Sequence, residues 1–68
     1  MNKEEIKLLE NSQLIAYFLM SRENLTSIKR ALNDDKSNIE LQELFDLERK
    51  NYENLLNEIY RRMNHGRR

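Results

Sequence analysis

Sixty-eight residues with no cysteine, one histidine, and twelve acids balanced by twelve bases allow one small domain at most. They exclude disulfides, thiolate metal sites and thiol catalysis. A core this small supplies only about 3–5 kcal/mol, so a second chain or a partner is expected to complete it.

The opening "MNKEEIKLLE" places acids where an export signal would need bases, and it is followed by no small-residue cleavage pattern. The longest apolar run, Leu14 to Met20, would span only about 10 Å as a helix, a third of a bilayer core. A cytoplasmic protein with no membrane partner is expected. Valine, proline and tryptophan are absent, and Leu, Glu, Lys, Arg and Asn dominate, so helix is expected throughout.

In chain order, Asn2 with Glu5 three residues on forms an N-terminal capping box, and acids at Glu4 and Glu5 suit the positive end of a helix. The first helix is expected over about residues 3–32. Ser21, Asn24 and Thr26 offer caps at which it could break. "NDDKSN" supplies the turn at 33–36, and Ser37 with Glu40 reads as the capping box of a second helix over about 37–64. Arg61 and Arg62 suit its negative end, Gly66 its C-terminal cap, and residues 65–68 form a basic tail. A turn this short makes an antiparallel two-helix hairpin, the all-α class, expected to dimerise into a four-helix bundle.

Stepping 100° per residue, the seam of the first helix collects Ile6, Leu9, Leu14, Tyr17, Phe18, Met20, Leu25, Ile28, Ala31 and Leu32. The second contributes Leu41, Leu44, Phe45, Tyr52, Leu55, Leu56, Ile59 and Met63. Folding at Asp34–Asp35 brings Leu41 to Ile28, Phe45 to Leu25, Tyr52 to Tyr17 and Leu55 to Leu14. Leu8, Ile15 and Leu19 fall outside the seam as a second stripe, with Leu47 and Tyr60 outside it on the other helix. Leu8, Ile15, Leu19 and Tyr60 are therefore the expected dimer or partner surface. Glu48 interrupts the seam opposite Ser21, near Arg22 and Asn24, and is expected to form a polar layer that fixes register.

No nucleophile–base pair, phosphate loop or metal-spaced cluster occurs, so neither catalysis nor a cofactor is expected. A protein partner, with the chain acting as a regulator or inhibitor, is the leading expectation. The composition suits a phage or mobile-element accessory protein. A nucleic-acid-binding hairpin using Arg61, Arg62, Arg67 and Arg68 is the alternative, and a structural subunit of a larger assembly is a third.

In length and layout the chain resembles the Rop-type helical hairpins, which dimerise and bind RNA. That resemblance is architectural and implies a four-helix bundle; the acids of the second helix depart from an RNA-binding face. "LIAYF" (14–18) and "NEIYRR" (57–62), about a sixth of the chain, are similar to the ends of the hairpin in the Sda-type inhibitors of sporulation histidine kinases. That similarity implies action by binding.

Overall fold

The structure is a computed structural model that describes residues 1–65. Three helices follow one another: α1 (Lys3–Lys7), α2 (Asn11–Asp34) and α3 (Ile39–His65). There is no strand among the described residues. The two long helices pack against each other as an antiparallel hairpin, and α1 folds back onto α3.

The expected first helix is thus two. α2 runs unbroken through Ser21, Asn24 and Thr26, and the break falls earlier, at Leu8–Glu10. Two local devices make it. The amides of Leu8 and Leu9 bond back only three residues, to the carbonyls of Glu5 and Ile6 (both 3.2 Å), which tightens and ends α1. Glu10 then turns extended (φ −69°, ψ 159°), and its amide donates to Gln13 Oε1 at 2.9 Å, starting α2. The Asn2–Glu5 box forms as expected, with Glu5 N donating to Asn2 Oδ1 (2.9 Å) and Asn2 N to Glu5 Oε1 (3.3 Å).

The turn also differs: α2 runs on to Asp34 and α3 begins at Ile39, so it occupies 35–38 where 33–36 was expected, and its capping residue changes. Asn38, not Ser37, caps α3, its Oδ1 accepting from Leu41 N at 3.1 Å. The Ser37 hydroxyl is turned to Asp35 Oδ1 (3.4 Å), and Asn38 Nδ2 donates to Asp35 Oδ2 (3.3 Å). Asp35 thereby gathers the turn residues on one carboxylate.

Among the described residues only Ile6, Leu14 and Leu55 are fully buried apolar residues, with Leu9, Phe18 and Ile59 packed on them. This core sits at the open end of the hairpin, for a geometric reason. Two helices alone bury one line of contact, whereas α1 adds a third wall where it covers α3. Toward the turn Leu25, Ile28, Leu32, Leu41 and Phe45 are only half-buried. Ser21 meets Glu48 as expected, but Tyr52 stacks on Phe18 (centroids 5.0 Å) and not on Tyr17, which lies off the line of contact.

Four residues assigned to the seam lie outside it: Tyr17, Met20, Leu44 and Met63 are 41%, 57%, 49% and 56% exposed. The line of closest approach on α2 follows Leu14, Phe18, Ser21 and Leu25, and Tyr17 and Met20 lie off its edge. Because Leu55 is wholly enclosed (0% exposed), Leu55→Ala should cost about 2–5 kcal/mol. Urea unfolding followed by circular dichroism measures it, and a cost below 1 kcal/mol would show that this end is not the core.

Candidate interaction surface

Three groups of side chains stand out: a charged latch, a polar layer and two exposed apolar faces. The latch centres on Glu58, which is buried (6% exposed) although no apolar pattern marks it. Arg61 closes on it as a fork, Nε to Oε1 at 2.9 Å and Nη2 to Oε2 at 2.6 Å, and Arg62 Nε adds a bond to Oε2 at 2.7 Å. The Arg61 hydrogen bonds, joined by those of Arg62 and by both positive charges, outweigh the burial and hold the Glu58 carboxyl down at about 2.

Arg62 does more than pair with Glu58. Its Nη2 donates to the carbonyls of Leu9 (2.7 Å), Ile6 (3.3 Å) and Lys7 (3.4 Å), and its Nη1 to Asn11 Oδ1 (2.8 Å). The last carbonyls of a helix have no partner within it, so Arg62 caps α1 while tying it to α3 and to the start of α2. Every guanidinium nitrogen of Arg62 is therefore engaged inside the chain, where the sequence marks it as a candidate phosphate contact. Arg61 keeps half its side-chain surface in solvent (55%). Arg67 and Arg68 lie outside the described residues.

In the polar layer Glu48 Oε2 accepts from Ser21 Oγ at 2.7 Å and Asn51 Nδ2 at 3.2 Å, while Oε1 accepts from Asn24 Nδ2 at 3.2 Å. Burial alone would raise its pKa, but these three hydrogen bonds together lower it. Ser21 is 2% exposed. Arg22, expected nearby, makes no bond to Glu48 and points away from the seam.

The stripe drawn through Leu8, Ile15 and Leu19 is not a stripe. Leu8 ends α1 and is 85% exposed at the corner, off the axis of α2. The break that buries Ile6 is what displaces it. Ile15 (52%), Leu19 (42%), Tyr60 (54%) and Met63 (56%) remain exposed. They lie on one side of the α2–α3 pair, where Asn11, Leu14, Ile15, Ile59, Arg62 and Met63 line an open groove. α1 covers the other side, where Ile6 and Lys7 share a groove with Asn54, Asn57 and Arg61 of α3.

The covered side carries the second apolar group. α1 stops short of the turn, and beyond it Tyr17, Met20, Leu44 and Leu47 (68%) stay exposed on that flank. Met1 meets Leu44 and Leu47 there across a shallow groove. Sequence patterning missed this group because three of its members carry the spacing of seam residues. No helix among the described residues is long and apolar enough to cross a membrane.

Glu58 also gives a pH dependence. Its carboxyl titrates at about 2 in the folded chain against an ordinary 4.5, so the stability it adds is complete above about pH 4.5 and is lost as pH falls toward 2. Glu58→Gln should cost about 3 kcal/mol at pH 7 and flatten that acid limb. Thermal unfolding at pH 7 and pH 3 checks both, and an unchanged acid limb would acquit Glu58. Compared with protein-family models, with curated proteins and with solved structures, the chain matches none.

Proposed function

We propose that the chain is a non-enzymatic interaction module, a regulator or inhibitor that works by docking on a larger protein. In this reading two hairpins first join through the face of Ile15, Leu19, Tyr60 and Met63 into a four-helix bundle. The Tyr17, Met20, Leu44 and Leu47 group, on the opposite side, then remains free for the larger protein.

One observation carries the reading: among the described residues, two apolar groups stay in solvent while only three apolar side chains are fully buried. Hydrophobic burial is the main source of stability in a domain, so this distribution favours burial against another chain. Methionines at an exposed face suit an adaptable contact. The nucleic-acid alternative is weakened by the engagement of Arg62 within the fold and by the paired position of Arg61.

Sedimentation equilibrium over a concentration series tests the assignment of faces. Ile15→Glu with Leu19→Glu should leave helicity intact and give a monomer, a loss of at least tenfold in association. Met20→Glu with Leu47→Glu should assemble as the unaltered chain does. The reverse pattern would exchange the two faces, and assembly by both variants would end the reading.

A further inference from the structure

The apolar face of α2 and α3 has a direction along the hairpin, and that direction constrains how a second copy can sit on it. Its apolar residues, Ile15, Leu19, Tyr60 and Met63, occupy the half far from the turn. The same side of the half near the turn carries Arg22, Thr26 and Lys29 on α2 and Arg49 on α3, all exposed. Arg49 has a loose partner, Glu53 at 3.9 Å, and exposed pairs of that kind are held together by little energy.

We infer that two copies pair antiparallel, with their turns at opposite ends, and overlap mainly through the halves far from the turns. The inference rests on the reading that this face joins two hairpins. The area fits a second copy. The chain exposes 5610 Å², about 1,000 Å² above the roughly 4,600 Å² of a compact protein of its length, and a stable interface covers about 800 Å² per partner. A radius of gyration of 13.9 Å and extents of 47 × 18 × 18 Å also describe a rod, against about 11 Å for a compact chain of this length.

Two-fold symmetry leaves few ways to stack two such rods face to face. With both turns at one end, α2 lies over the partner's α3 at the same level. The register that joins Ser21 to Glu48 then sets Arg22 over the partner's Arg49, twice, and like charges brought together are costly. With turns at opposite ends and complete overlap, the basic half of each copy covers the apolar half of the other. Sliding the copies apart removes both conflicts. A two-fold axis crossing α2 between Ile15 and Leu19, and α3 beside Tyr52, sets Ile15 against the partner's Leu19 and Tyr60 against the partner's Phe45. Arg22 then faces the partner's Ser12, and Arg49 lays its aliphatic stem on the partner's Leu56.

The chain has no cysteine, so Lys36→Cys at the exposed turn accepts a single spin label without touching the core. In the associated protein the turn-to-turn distance, read by double electron–electron resonance, is expected at about 55–60 Å, from a rise of about 1.5 Å per residue. About 20 Å or less would place both turns at one end and overturn the antiparallel arrangement. About 45 Å would mean complete overlap and overturn the offset. A monomer at every concentration in sedimentation would remove self-pairing itself, and with it the assembly half of the functional reading, which the distance outcomes leave standing.

Discussion

Arg62 is where three segments of the chain meet, and the fold depends on that meeting. A five-residue helix has no stability of its own, because nucleation costs more than its few hydrogen bonds return. α1 persists because the carbonyls of Ile6 and Lys7, and that of Leu9 just past its end, find a donor in Arg62, and Ile6 finds a place under it (1% exposed). Glu58 makes the arrangement affordable electrostatically: a guanidinium drawn half out of water needs a nearby anion, and Glu58 lies one turn back on the same helix. Arg61 supplies the second cation from solvent, so the buried carboxylate carries two charged donors.

The consequences run outward from this latch. With α1 in place, Leu14 and Leu55 gain a third wall and close almost completely (2% and 0% exposed). Without such a wall the turn half of the hairpin stays half-buried. The register there rests on a polar layer instead: Ser21, Asn24 and Asn51 all donate to Glu48, and a one-turn slip would strand that carboxylate among apolar neighbours. One end is held by an ion pair and an aliphatic core, the middle by a hydrogen-bonded carboxylate.

The same latch divides the surface. α1 takes one flank of α3, which leaves the opposite flank bare and the remainder of its own flank bare toward the turn. The uninterrupted apolar run from Leu14 to Met20 is explained by this three-way partition. Leu14 and Phe18 face α3, Ile15 and Leu19 face the bare side, and Tyr17 and Met20 face the side that α1 only partly covers. One helical segment thus serves a core and two surfaces, and the two surfaces are the basis of the proposed division between assembly and docking.

Composition and patterning by themselves determined the helical class, the turn to within two residues, the antiparallel register to within one residue and the contact between Glu48 and Ser21. All of these follow from local periodicity and from matching one apolar arc to another, which a linear sequence displays. Exposure of Ile15, Leu19 and Tyr60 was legible for the same reason. The break at Leu8–Glu10, the burial of Glu58 and the role of Arg62 were decided only by the tertiary structure. Their cause is a capping donor more than fifty residues away in sequence, and no local spacing announces it. Leu8 left the stripe, and Tyr17, Met20, Leu44 and Met63 left the seam. The width of an apolar arc can be read from sequence, but how much of it a neighbour covers depends on which segments pack beside it.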